Sequence, residues 1–168
     1  MERLPDVRVP DVVGEIIAFR AWKVIGDNPS LPMLASVTHG TTIWHPGHWT
    51  LATCNGRDYC PASKDHGIPG ESCSCGLYAA LDREHLVTKM GYGREHQNGP
   101  PVFVGEVALS GKVIPGTQGW RAERGRIARL FVPFHHWKLV EPLEELYGIP
   151  VQLDNTQKTA PSLGADWR

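Results

Sequence analysis

The sequence CNGRDYCPASKDHGIPGESCSCG, residues 54–76, contains all four cysteines of this chain, with one histidine between them. Before it, short runs of β-branched and aromatic residues are separated by turns rich in Pro and Gly, a pattern typical of antiparallel strands. After it, residues 76–90 carry apolar side chains at helical spacing, which predicts the main helix of the chain. The cysteine-containing loop therefore lies between a predicted sheet and a predicted helix, and we expect it to hold the two together.

Three cysteines and the histidine of this loop form the predicted metal site, which consists of Cys54, His66, Cys73 and Cys75. Zinc prefers a tetrahedron of thiolates and imidazoles, and three cysteines with one histidine are a standard structural combination. Cys60 is the alternative fourth ligand, in a site of four cysteines that leaves His66 out. Four reduced thiols that bind no metal are the remaining alternative. Because either metal-binding set fills all four positions with protein atoms, we expect a structural Zn2+ ion.

The composition is that of an ordinary globular protein, with 168 residues of which 41% are hydrophobic and 21% are charged. The net charge of −1 excludes a general attraction to nucleic acid or to an anionic membrane. No apolar run approaches the roughly 18 residues of a membrane span. The N-terminal residues include acids and prolines where a signal peptide would be apolar. We therefore predict a cytoplasmic protein, in which clustered cysteines bind metal more often than they form disulfides.

The predicted fold is one zinc-stabilised α+β domain over residues 1–150, followed by a flexible tail over residues 151–168. We expect a bent antiparallel sheet or small open β-barrel with one main helix and a zinc-bound loop. The 18 glycines and 14 prolines favour such a turn-rich chain over a helical bundle. The opening strand, residues 12–24, is expected to pair with residues 102–109, because a Gly-Glu-apolar sequence occurs in both.

Three shorter patterns add local predictions. Residues 115–119 have the composition of a hairpin turn. Residues 142–147 are expected to form a short helix, with a proline in its first turn and Gly148 past its end. Asp82 gives an alternative to one continuous helix after the cysteine loop, because it is also suited to cap a second short helix that splits residues 76–90.

A basic and aromatic segment, residues 112–138, is the predicted contact for nucleic acid. It contains six Lys or Arg residues and one acid, whereas residues 139–154 contain four acids and no Lys or Arg. Arginines in such a segment bind phosphates, and aromatic rings stack on bases. The alternative is a solvated strand face whose arginines pair with the acids that follow. The predicted contact residues are Lys112, Trp120, Arg121, Arg124, Arg126, Arg129 and Lys138.

Histidines cluster a short distance before the cysteine loop, at His39, His45 and His48. Neighbouring histidines are able to bind a second metal or to exchange protons with a substrate. No HExxH motif, nucleophile elbow or nearby pair of carboxylates accompanies them, so we interpret them as turn residues. The pair His135 and His136 has the same interpretation. We accordingly predict no catalytic residues and favour a non-enzymatic protein over a metal-dependent hydrolase or nuclease.

Four pieces of the chain are shared with one family. They are GEIIAFRAWKV, the C…H…CSCGLYA core, VGEVALSGKVI and GWRAERGRIARLFV. Over residues 14–133 the chain resembles small proteins of actinobacteria and their phages that have a C…H…CxCGxYA zinc-loop pattern. The resemblance implies a metal-binding loop and a phage origin, and no particular activity. The metal ligands that it implies are Cys54, His66, Cys73 and Cys75. Cys60 departs from the family pattern.

The function predicted from these features is a non-enzymatic, zinc-stabilised binding module that contacts nucleic acid through its basic and aromatic segment, with the phage origin that the resemblance implies. The alternative partner is a host protein that such a phage factor would block or redirect. In that case we expect the protein to act in the host cytoplasm, and in neither case do we expect a membrane partner.

Overall fold

The computed structural model describes residues 14–26, 28–38, 42–54, 66–92 and 99–155. A π-helical turn, His85–Lys89, precedes the long hairpin of the chain, and a 3-10 segment, Phe134–Leu139, leads into the α-helix α1, Val140–Tyr147. The described residues therefore form an α+β arrangement dominated by strands. In chain order the strands are β1 (Ile16–Ile25), β2 (Met33–Ser36), β3 (Ile43–Trp44), β4 (Thr50–Leu51), β5 (Leu77–Ala80), β6 (Val102–Pro115), β7 (Gly119–Pro133) and β8 (Val151–Asp154).

All of these strands belong to one sheet, built on the long hairpin of β6 and β7. The predicted turn between them is confirmed, and the Gly116 N–H donates to the Gly119 carbonyl at 2.8 Å. Pairings of β1 with β6, β6 with β7, β7 with β5 and β5 with β1 close a cycle that bends the sheet. The cycle is not a clear barrel, because β1 and β5 share one residue pair. The sheet is mixed rather than purely antiparallel, because β8 runs parallel to β7.

The predicted pairing of the opening strand with β6 is confirmed, from Ile16 opposite Leu109 to Lys23 opposite Val102. The two Gly-Glu sequences that suggested the pairing do not face each other, since Gly105 lies opposite Arg20. Gly105 instead allows β6 and β7 to approach each other closely, because it has no side chain. A Cβ atom there would lie 2.2 Å from a carbonyl oxygen of β7.

Aromatic side chains fill the main core. Trp22 and Trp44 are fully buried, and their rings meet edge to face with centroids 5.4 Å apart. Phe103 and Leu130 of the central hairpin and Leu143 of α1 complete this cluster. The core therefore lies between the bent sheet and α1, and burial of these large apolar surfaces supplies most of the driving force for folding.

Residues 76–90 do not form the predicted main helix. Their first part is strand β5, which pairs with β7 from Leu77 opposite Ala122 to Ala80 opposite Gly119. A short apolar run is compatible with either a helix or a buried strand. Here it forms a strand, because it can pair with the edge of β7. The alternative that splits the segment at Asp82 agrees with the structure in its second part only, because a strand takes the place of the first helix. The Asp82 carboxylate accepts a hydrogen bond from the His85 N–H at 2.7 Å, where the helical turn begins.

Helix α1 occupies the place of the predicted short helix and ends at Gly148, whose φ of 63° is in the left-handed region. Its last residue, Tyr147, joins the helix to the sheet. The Tyr147 hydroxyl accepts a hydrogen bond from the Leu34 N–H at 2.8 Å and donates one to the Trp44 carbonyl at 2.9 Å. Burial raises the pKa of Tyr147 to about 12, so the hydroxyl keeps its proton at neutral pH.

The folded part of the chain continues past the predicted boundary at residue 150, because Val151–Asp154 forms β8. Asp154 is buried and pairs with Arg83, whose guanidinium also lies over the Phe131 ring. Most of the predicted tail, residues 156–168, lies outside the described residues. Within the described part of the chain, none of the helices has the length and apolar character needed to cross a bilayer.

We predict that Tyr147→Phe lowers the free energy of unfolding by about 1–3 kcal/mol, because it leaves a buried N–H and a buried carbonyl without their partner. Urea denaturation measures the change. Tyr92→Phe is the matched control, since the structure shows no hydrogen bond from the Tyr92 hydroxyl among the described residues, and it should change stability by less than about 0.5 kcal/mol. Equal losses in the two variants would contradict this role of Tyr147.

Candidate metal centre

The cysteines of the predicted metal site lie next to two strands, β4 and β5, that both pair with β7. Cys54 follows β4, and the Ala52 N–H donates to the Glu123 carbonyl at 2.8 Å, which keeps this segment against β7. Cys73 and Cys75 come directly before β5. Both β4 and β5 pair with β7, so the end of one and the start of the other are brought to the same place on the sheet.

The ligand atoms of Cys54, His66, Cys73 and Cys75 all lie within 4.8 Å of one another. The Sγ atoms of Cys54 and Cys73 are 3.7 Å apart. The three cysteines are not joined by disulfides, whose S–S bond is about 2.05 Å long. Two thiolates at about 2.3 Å from a tetrahedral zinc ion are about 3.8 Å apart. The four residues are therefore close enough together to bind a metal ion.

His66 is oriented by the backbone of its own loop. Its Nδ1 lies 3.0 Å from the Gly67 carbonyl oxygen. A carbonyl oxygen only accepts hydrogen bonds, so Nδ1 carries the proton and Nε2 keeps its lone pair for a metal. The pKa of His66 is raised above its ordinary value, first by this hydrogen bond and then by one with Cys54. The alternative ligand Cys60 lies outside the described residues.

A backbone N–H of the same loop also contacts the sulfur atom of Cys75. The Gly70 N–H donates to the Cys75 Sγ at 3.2 Å, and such a bond stabilises a thiolate. Burial raises the pKa of the Cys75 thiol above its ordinary value, because desolvation disfavours the thiolate. A bound cation supplies the missing positive charge, so binding of a metal would be accompanied by loss of the thiol proton.

Arg121 of β7, predicted to contact nucleic acid, lies against the metal loop. Its Nη1 donates to the carbonyl oxygens of Gly70 at 3.4 Å, Cys75 at 3.1 Å and Cys73. The Tyr78 hydroxyl of β5 adds a bond of 2.5 Å to the Ser74 carbonyl. Arg121 and Tyr78 therefore bind the backbone around the two adjacent cysteines. This role of Arg121 and Tyr78 cannot be predicted from the spacing of the cysteines, because every residue has a backbone carbonyl that could accept a hydrogen bond.

The other predicted nucleic-acid contacts are spread over the sheet. Arg126 pairs with Glu15 at 2.9 Å, and Arg129 pairs with Glu106 at 3.5 Å. Arg124 and Arg126 lie over the ring of Trp49, a residue outside the predicted set, with centroid distances of 5.2 and 5.3 Å. Trp49 is far from β7 along the chain, so the basic and aromatic pattern of residues 112–138 does not indicate it.

The remaining three members of that set make other contacts. Trp120 is half-buried and packs against the main core. Lys112 is exposed in β6, where its N–H donates to the Glu123 carboxylate at 2.9 Å. Lys138 lies after β7, with its ammonium 5.8 Å from the centroid of the Trp137 ring. The structure therefore brings two of the seven predicted residues, Arg124 and Arg126, together around one aromatic ring.

The other histidines that the structure describes do not join the four candidate metal ligands. His39 lies outside the described residues. His45 and His48 are exposed, and His48 Nδ1 donates to the Pro46 carbonyl at 2.7 Å. Neither belongs to the group of ligands formed by the described residues.

No protein-family model, curated protein or solved structure matches this chain.

We predict that Gly70→Ala weakens metal binding by about tenfold or more, a loss typical of disturbed groups around a metal site. The added Cβ would lie 2.7 Å from His66 Nδ1 and 3.1 Å from the Cys73 Cβ, so a ligand must move. Competition with a chromogenic chelator measures the affinity. Gly67→Ala in the same loop is the matched control, because its Cβ would meet nothing within 4 Å. The same affinity in both variants would contradict the described site.

Proposed function

We propose that this protein is a non-enzymatic binding module whose fold is stabilised by one structural zinc ion. The observation that carries the proposal is the convergence of three thiols and one imidazole within 4.8 Å. Thiolates and imidazoles favour zinc, whereas magnesium and calcium prefer the oxygen ligands that this group lacks. The ligands of the proposed ion are Cys54, His66, Cys73 and Cys75.

The composition of the site favours a structural over a catalytic ion. Four protein ligands complete the tetrahedron and leave no position for a reactive water molecule, which a catalytic zinc keeps. The ion would join the segment after β4 to the segment before β5, across β7. Because an unfolded chain does not present such a site, the free energy of zinc binding is also free energy of folding.

We predict one zinc ion per chain in protein purified without added metal, as measured by inductively coupled plasma mass spectrometry. Removal of the ion by a strong chelator should lower Tm by about 10 °C or more, since each kcal/mol lost shifts Tm by about 2–4 °C in a chain of this size. Readdition of zinc should restore Tm. A metal-free preparation with the same Tm as the zinc-loaded protein would contradict the proposal.

The surface around Trp49 supports nucleic acid as the partner of this module. Arg124 and Arg126 hold their guanidinium groups over the Trp49 ring, and both arginines are exposed. The ion pair of Arg126 with Glu15 is also exposed, and such pairs contribute about 0–1 kcal/mol, so a phosphate can compete for the arginine. We name the group of Trp49, Arg124 and Arg126 the cationic patch.

We propose that the cationic patch binds single-stranded nucleic acid, with its arginines on phosphates and the indole close to a base. Lys112 is also exposed on the hairpin and extends the proposed contact. Arg121 stays out of it, because its guanidinium binds the metal loop. Arg129 and Lys138 would add long-range attraction only, which salt screens.

We predict that a labelled oligothymidine of about 20 nucleotides binds, and that the affinity falls steeply with added salt. The double variant Arg124→Ala/Arg126→Ala should bind more weakly and reduce the slope of log affinity against log salt by about 1.4, which is about 0.7 for each lost phosphate contact. Fluorescence anisotropy measures both quantities.

The matched control is Lys23→Ala/Lys89→Ala, which removes the same charge from β1 and from the π-helical turn. It should leave the salt dependence nearly unchanged. Binding that persists in high salt, or an equal loss in both double variants, would contradict the nucleic-acid proposal and leave the zinc proposal untouched.

A further inference from the structure

A cavity of about 480 Å³ lies between β1, β5 and the turn that joins β6 to β7. The π-helical turn after β5 contributes further lining residues. The volume is within the range of about 300–1,000 Å³ that is usual for small-molecule sites. None of the roles described above uses this cavity.

Aromatic side chains form much of its wall. Phe19, Tyr78, Tyr92 and Trp120 all line the cavity, together with the buried aliphatic side chain of Leu86. Tyr78 is 51% exposed although it lies in a paired strand, so its ring presents a free surface. Flat, polarisable walls of this kind favour a planar ligand, because rings stack on rings.

Arg20 of β1 places a positive charge in this wall. Its Nη1 donates to the Tyr78 carbonyl, its Nη2 donates to the Ser36 hydroxyl at 3.1 Å, and its guanidinium lies 5.1 Å from the centroid of the Trp44 ring. The Nε atom is buried and has no hydrogen-bond partner in the described part of the chain. Burial lowers the pKa of Arg20 to about 10. A buried donor without a partner is costly and needs an acceptor.

Tyr92 has an electrostatic interaction with Arg20, but no carboxylate among the described lining residues balances this charge. Arg121 and His85 also line the cavity, and neither Asp nor Glu does so. A buried cation without a carboxylate is unusual in a protein interior, where buried charges are paired. An anion that enters the cavity would therefore be attracted by Arg20 and would remove part of its desolvation cost.

We propose that the cavity binds a small planar aromatic molecule that carries one acidic group, and that Arg20 is the residue that contacts the acid. A carboxylate, a sulfonate and a phosphate share the acceptor chemistry that a guanidinium recognises. The limited volume fits one small molecule rather than a length of polymer.

The metal loop supports one wall of this site, and this part of the inference depends on the proposed zinc ion. Tyr78 and Arg121 line the cavity and also donate to the carbonyls of Ser74, Cys73 and Cys75. Loss of the metal would release these carbonyls and therefore alter the wall. The contact of Arg20 with β5 and Ser36 does not involve the loop.

Two fluorescent probes test the site in the full chain. 8-Anilinonaphthalene-1-sulfonate has two aromatic groups and a sulfonate, and N-phenyl-1-naphthylamine is the same molecule without the sulfonate. We expect the sulfonate to bind with a stoichiometry of one and about tenfold or more tighter than the neutral probe, because it adds charge-assisted hydrogen bonds. Equal affinity for the two probes would overturn the proposal.

The variant Arg20→Gln should lose this preference, with weaker binding of the sulfonate and little change for the neutral probe. Arg129→Gln, which removes an arginine outside the cavity lining, is the matched control and should keep the preference. If both variants bind the sulfonate as the unchanged protein does, Arg20 is not the contact and the proposal fails.

A measurement on the unchanged protein covers the case in which Arg20→Gln does not fold. The Nε–H resonance of Arg20 in a 15N spectrum should move downfield when the sulfonate is added and not when the neutral probe is added. No movement would overturn the proposal. Chelation separates the two claims: if the protein holds no zinc but the sulfonate preference and the resonance shift remain, the anion site stands and its link to the metal fails.

Discussion

The guanidinium of Arg121 donates to the backbone carbonyls of Gly70, Cys73 and Cys75, and the rest of the site depends on this interaction. A chain that turns tightly enough to present two cysteines in three residues exposes its carbonyl oxygens, and these need donors. Arg121 supplies them from β7, the strand that pairs with the segments on either side of the loop. This one side chain therefore connects the backbone around Cys73 and Cys75 to the sheet.

Residues at different positions of β7 consequently have different roles. Arg121 holds the metal loop and lines the cavity, and Trp120 packs against the main core. Arg124 and Arg126, two residues apart, point to one face and meet Trp49 there. The basic stretch of the sequence is thus divided between Arg121, which binds the metal loop, and Arg124 and Arg126, which lie over Trp49.

The sequence predicted the parts of this structure that depend on local chemistry. The four clustered ligands, the hairpin turn before β7, the helix that ends at Gly148 and the cap at Asp82 each follow from residue type and short spacing. Strand β5 was mistaken for helix, because the choice between the two is made by the edge of β7 and not by residues 76–90 themselves. Arg20 was missed for a related reason, since its neighbours Tyr78 and Ser36 come together only in the folded sheet.

X-ray absorption at the zinc edge tests the central claim most directly, because it reports the atoms bound to the ion in the purified protein. A site of three cysteines and one histidine predicts three sulfur atoms at about 2.3 Å and one nitrogen at about 2.0–2.1 Å. Four sulfur atoms would mean that Cys60 replaces His66. A shell of oxygen atoms, or no zinc signal in the folded protein, would contradict the account in which a metal-bound loop fixes the sheet and the wall of the cavity.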